Sequence, residues 1–221
     1  MSDSVEGTKG RLSERARYGL TLALGMLVLL WRIVLPTNVK ITAGIVILVV
    51  VLDIILTAVV IFLNRKELKE AFTKKFRWKD FFKIILAFVV MFVLTIVISV
   101  VLITSGIELA DPARLVGVEF QSVFLPGAIV SMVIVAPLLE EIVFRMAGRG
   151  FIKNGILFVL ITSLLFAFIH TVNFSIVDNL DYFISGVFFS VLYLITKDIR
   201  IPMGVHFLWN IIGVITALLA G

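Results

Sequence analysis

Apolar residues run along this chain in long unbroken blocks separated by short polar stretches. A half-buried strand would alternate, and a surface helix would carry a one-sided stripe. A helix that crosses the hydrocarbon core of a bilayer needs about 20 mostly apolar residues. That ruler picks out seven blocks: Tyr18–Leu35, Val39–Leu63, Phe81–Ser105, Ala128–Ala147, Ile156–Val172, Tyr182–Thr196 and Pro202–Ala220. The pattern predicts an all-α fold, a polytopic transmembrane helical bundle of about seven to eight spans. The eighth would come from Gly106–Pro126, whose apolar middle can lie on the membrane or dip into it. Residues 1–17 read as a polar cytoplasmic segment and residues 18–221 as one helical bundle. The N-terminal segment lacks the short apolar core and small-residue cleavage site of a signal peptide, so the first span is expected to be retained.

Composition sharpens this picture. Apolar residues make up 61% of the chain and charged residues 16%, where a soluble domain runs nearer half and a quarter. There is no cysteine, which excludes disulfides and thiolate chemistry. The net charge of +5 sits in short loops between apolar blocks, so it does not describe a nucleic-acid surface. With the N-terminus inside, the cytoplasmic loops hold fifteen basic residues, against Lys40 and Arg114 outside. That bias predicts an integral protein of the cell membrane with a cytoplasmic N-terminus.

Ionisable residues inside the bilayer are costly and each needs an explanation. Arg32 and Lys83 lie near block ends, where their stems can snorkel to the interface. Asp53 is deeper and reads as a structural contact, paired with Arg32 or protonated. The remaining set is Glu140, Glu141 and Arg145 in the fourth block, His170 at the end of the fifth, and His206 and Asn210 in the seventh. Glu141 and Arg145 are four apart and share a helical face as an ion pair. Glu140 points about 100° away. Pro137 has no N–H and is expected to free the carbonyl of Val133 in a kinked, cavity-lining helix. His206 and Asn210 project together, and Phe166 sits one turn before His170.

A carboxylate, two imidazoles and a carboxamide can hydrolyse an amide without a covalent intermediate. Glu140 would take a proton from water, His170 would hold that water or protonate the leaving amine, and His206 and Asn210 would donate to the oxyanion. Any one of these residues alone would be ordinary polar glue between helices. Together, on separate helices, they point to a site. Counted at about 1.5 Å per residue from the block ends, Glu140 lies about 10 Å deep, His206 about 6 Å and His170 about 21 Å. They meet only if the fifth helix tilts or begins elsewhere.

Glu140-Glu141-x-x-x-Arg145, Phe166-x-x-x-His170 and His206-x-x-x-Asn210 resemble, in that order, the three motifs of the CAAX-protease and bacteriocin-processing (CPBP/Abi) family. The resemblance covers roughly residues 128–210, and the family includes the type II CAAX prenyl endopeptidases. It implies an eight-helix fold and an intramembrane endopeptidase acting on a membrane-associated, prenylated or leader peptide. By the same resemblance Glu140 and His170 activate water, His206 and Asn210 form the oxyanion hole, Glu141 and Arg145 support them, and no cofactor or metal is bound. The expected partners are the peptide or lipidated-protein substrate and membrane lipids, with no nucleic acid. Zinc is the alternative chemistry, with two histidines and a glutamate as ligands. No His-Glu-x-x-His is present, however, and asparagine is a poor zinc ligand. A non-catalytic membrane partner, such as a bacteriocin self-immunity protein or scaffold, is the alternative function. A proton-coupled transporter is disfavoured by the lack of an inverted repeat.

Overall fold

The structure is a computed structural model that describes residues 12–38, 43–107, 129–170 and 176–220. Among these residues the chain folds into helices throughout. The first four are α1 (Glu14–Asn38), α2 (Ala43–Leu63), α3 (Arg65–Thr73) and α4 (Trp78–Thr104). The fifth, α5, covers residues 131–151 as four consecutive pieces: a π-helical stretch Ser131–Val135, an α segment Ala136–Glu140, a second π-helical stretch Glu141–Ala147 and a last α turn Gly148–Phe151. Then follow α6 (Gly155–Phe168), α7 (Ile176–Thr196) and α8 (Arg200–Ala220). Each apolar block corresponds to one long helix. The additional element is α3, a short helix inside the basic stretch that separates the second and third blocks. Gly106–Pro126 lies almost wholly outside the described residues.

Several helix ends differ from those the apolar pattern sets, because capping rather than hydropathy decides them. The fourth block was expected to stop at Ala147, yet α5 continues to Phe151. Arg149 closes that end by donating to the carbonyls of Ile152 and Lys153 at 3.0 and 2.8 Å. Asn154 then starts α6, its side-chain oxygen accepting from the Leu157 N–H at 3.0 Å. α7 begins at Ile176, upstream of the expected Tyr182, through a turn containing Asp178, Asn179 and Asp181 that is too polar for the ruler. Asp198 accepts the Arg200 N–H at 3.1 Å at the start of α8.

Two glycines set how closely the helices approach. A Cβ on Gly25 of α1 would lie 2.2 Å from a Val143 methyl, so α1 rests directly on α5. A Cβ on Gly186 of α7 would lie 2.9 Å from the Ser163 Cα of α6. Small residues let helix backbones close up in this way, and the hydroxyls of Thr162 and Ser190 bond across the same α6–α7 seam at 3.0 Å. α5 is the hub. Leu139, Ile142, Val143 and Phe144 are wholly buried against Phe166, Phe189 and Val205. The outer surface is apolar: Phe82, Leu86, Val93, Val97 and Val101 of α4 are all exposed. Among the described residues Trp78–Thr104 and Asn179–Thr196 are long and apolar enough to cross a membrane.

At one end of the bundle a polar knot ties α1 to the α2–α3 junction. Arg17 donates to the Leu63 carbonyl at 2.7 Å and to both Glu67 oxygens, and the Tyr18 hydroxyl donates to Glu67 at 2.9 Å. Burial alone would raise the Glu67 carboxyl, but the hydrogen bonds from Arg17, the backbone and Tyr18, with the charge of Arg17, together outweigh it and hold the group below its usual range. The tie is therefore complete above the ordinary carboxylate range and weakens only as pH falls below it.

The candidate site is built on three helices that converge on Glu140

Glu140 sits between the two π-helical stretches of α5. Such irregularities re-aim side chains and concentrate at functional sites. Its carboxylate oxygen Oε2 lies 3.7 Å from Nε2 of His170 and 3.7 Å from Nε2 of His206. Both separations exceed a direct hydrogen bond, and both rings turn the same nitrogen toward one carboxylate oxygen. The far nitrogens fix the rings. His170 Nδ1 is 2.7 Å from the Phe166 carbonyl, and His206 Nδ1 is 3.0 Å from Oε1 of Glu141. A carbonyl and a carboxylate only accept, so both Nδ1 atoms carry their proton. In the neutral rings, each Nε2 then turns a lone pair toward Glu140.

Glu141 and Arg145 form the expected i, i+4 pair, with Nε 3.4 Å from Oε2 and both side chains wholly buried. The guanidinium lies 4.6, 5.2 and 5.8 Å from the ring centres of Phe166, Phe189 and Phe144, a geometry suited to cation–π attraction. Its Nη2 reaches the Gly186 carbonyl at 3.4 Å. Glu141 meets His206 on its Nδ1 side, away from Glu140, which faces the ring's Nε2. Exposure rises outward, from 0% for Glu141 and Arg145 to 6% for the Glu140 side chain and 23% for His170. The cluster therefore opens on the His170 side.

Asn210 lies one turn along α8 from His206, and its Nδ2 donates to the Met132 carbonyl at 2.8 Å. The carbonyl freed by Pro137 was expected to be that of Val133, four residues back. In the π-helical register the Ala136 N–H bonds five residues back, to Ser131. The acceptor left facing Pro137 is then Met132, and Asn210 fills it.

The match with known proteins covers the segment that holds all of these residues. Residues 122–212 match the family model described as Rce1-like, type II CAAX prenyl endopeptidase Rce1-like. This segment, less than half of the chain, is similar to the CAAX-protease family. No curated protein and no solved structure matches the chain. Similarity to the CAAX-protease family over residues 122–212, the two membrane-length helices among the described residues and the apolar outer surface together support an integral membrane protein. Among the described residues no group of three or more His, Asp or Glu side chains is arranged to hold a metal ion.

Two residues of this candidate site escape the motif pattern. Tyr182 stacks on His170 with centroids 4.4 Å apart and planes 19° apart, and Phe189 stacks on His206 at 4.7 Å and 20°. They are two turns apart on one face of α7, which carries none of the three motifs. Their signal is a seven-residue aromatic spacing within the sixth apolar block, which nothing in the composition sets apart. Tyr182→Leu is expected to lower kcat about 2–10-fold with little change in KM, from a stacking contribution of ~0.5–1.5 kcal/mol. Tyr182→Phe should restore it. Equal loss in both variants would assign the effect to the hydroxyl instead of the ring.

Proposed function

We propose that this protein is an intramembrane endopeptidase that hydrolyses a peptide bond with a water activated by Glu140 and His170. The observation that carries this reading is the pair of 3.7 Å separations from one Glu140 oxygen to the two imidazole Nε2 atoms. A water seated there donates one proton toward Glu140 and one toward His170. As its oxygen attacks the scissile carbonyl, Glu140 takes a proton. The C–N bond then breaks, and that proton passes to the departing amine, by way of His170. The oxyanion is met by His206, when its Nε2 carries a proton, and by the second amide proton of Asn210. Glu141 and Arg145 hold His206 in place, and no metal is required for any step.

The substrate class we infer is a membrane-associated peptide, either a prenylated CAAX-type tail or a leader segment. Seven spans, formed by the long helices, would put the N-terminus and the basic loops in the cytoplasm, with the site opening on that side. Because the chain has no cysteine, single cysteines report topology directly. Cysteine replacing Lys74 or Lys153 should react with an impermeant maleimide only after cells are permeabilised, whereas cysteine replacing Glu108 or Asp178 should react in intact cells. Labelling at Lys153 in intact cells would invert the topology. The activity itself is tested by incubating the purified chain with a farnesylated CAAX-type peptide and with leader peptides, and weighing the products. Two new fragments are expected from at least one of them. Peptides that stay intact throughout would favour the non-catalytic membrane partner.

A further inference from the structure

The stretch from Arg65 to Lys83 plays no part in the chemistry above, yet it concentrates the charge of the molecule. Arg65, Lys66, Lys69, Lys74, Lys75, Arg77 and Lys79 are all exposed. The acids nearby are largely spent. Glu67 is bound by Arg17 and Tyr18, and buried Asp80 is bound by Lys83 at 3.0 Å and by the Arg77 N–H at 3.1 Å. Glu70 is the one exposed acid of the stretch. Among these bases stand large rings turned outward: Phe72 is 55% exposed, Phe76 49% and Trp78 75%.

The inner side of this segment is fixed to the bundle. Leu68 and Ala71 of α3 pack against Met146, Ile199 and Met203. Arg200, the first residue of α8, donates to the Lys74 carbonyl at 2.7 Å and lies 5.7 Å from the centre of the Phe76 ring. Bases and aromatics are therefore held together on one rigid surface, immediately before the membrane-length helix that begins at Trp78. Exposed rings among cations are costly in water. At a bilayer interface the rings enter the boundary between headgroups and acyl chains, while the cations meet phosphate.

We propose that α3 and the turn leading into α4 form a docking surface for anionic phospholipid headgroups, with Phe72, Phe76 and Trp78 inserted at the interface. The inference does not depend on the hydrolase reading. Charge complementarity selects the occupant: eight exposed cations, of which Lys83 is paired with Asp80, and one exposed acid fit a negatively charged leaflet and gain nothing from a zwitterionic one.

Trp78 is the natural reporter. The full chain carrying Trp31→Phe and Trp209→Phe, which leaves Trp78 as its single tryptophan, is reconstituted in vesicles of phosphatidylcholine and phosphatidylglycerol. Acyl chains of one lipid or the other are brominated in turn. Brominated phosphatidylglycerol is expected to quench Trp78 more strongly, with a relative affinity about threefold to tenfold above phosphatidylcholine. The ratio should fall toward one at about 1 M salt. It should fall likewise when Lys69→Gln, Lys74→Gln, Lys75→Gln and Lys79→Gln are combined. Equal quenching by both lipids at low salt would overturn the proposal. Should the single-tryptophan chain not fold, thermal unfolding of the unmodified chain in nanodiscs decides. A Tm that rises with phosphatidylglycerol, and stops rising in the four-glutamine variant, supports the surface. A Tm indifferent to lipid charge overturns it.

Discussion

Glu140→Gln is expected to reduce peptide cleavage by about 10²–10⁴-fold, the usual cost of removing a general base, while the protein still inserts and purifies as the wild type does. The substitution keeps the size of a side chain that is nearly buried between two imidazoles, so no cavity opens. It replaces the oxygen acceptor with an amide that cannot take a proton from water. His170→Ala should lose activity on a similar scale, because it removes the second acceptor of the same water and the route to the leaving amine. Turnover near wild type in either variant, measured on the same peptide, would remove the mechanism. A variant that fails to fold says nothing about chemistry, so each is compared by its melting temperature in detergent before its rate is read.

The second large effect is on stability. Arg145→Ala and Glu141→Ala are each expected to cost about 3–5 kcal/mol, because either leaves an uncompensated charge in a site with no access to water. Arg145→Ala also vacates the space between Phe166 and Phe189. The discriminating variant is the double change Glu141→Leu with Arg145→Met. Replacing a buried pair by apolar residues of similar volume is often neutral, so it should be more stable than either single alanine variant. Activity should stay low, since His206 loses the acceptor on its Nδ1. A double variant as unstable as the singles, or both singles melting like wild type, would contradict the pairing.

The helices were legible because bilayer-length apolar blocks leave the backbone no other way to satisfy its hydrogen bonds. The motif residues were legible because a charge or imidazole in such a block is too costly to be incidental. Depth was harder to read. The apolar ruler ended the fourth block at Ala147, which left Glu140 and His170 about 11 Å apart in height. With α5 running to Phe151 and α6 starting at Gly155, they stand eleven and fifteen residues from the shared turn. That leaves about 6 Å, which helix tilt and side-chain reach can absorb. The missing residues were a charged, capped turn that hydropathy discards.

The π-helical register was also invisible. Pro137 announced a freed carbonyl, but only the i→i+5 pattern shows that it belongs to Met132 and that Asn210 takes it. Tyr182 and Phe189 were hidden for a different reason: an aromatic in an apolar helix carries no cost, so nothing in the composition marks it. The contact suggested between Asp53 and Arg32 involves side chains outside the described residues. Lys83 bonds to Asp80 at the start of α4, a surface contact consistent with a snorkelling stem.

The most direct measurement is cleavage of a peptide by the purified full chain in ¹⁸O-labelled water, with and without a strong metal chelator. If Glu140 and His170 activate the water, cleavage proceeds undiminished with the chelator. The new carboxylate then carries one labelled oxygen per turnover, and Glu140→Gln gives no labelled product under the same conditions. Loss of cleavage in chelator that is restored by adding zinc would contradict the glutamate mechanism, and labelled product from Glu140→Gln at the wild-type rate would remove Glu140 from the reaction altogether.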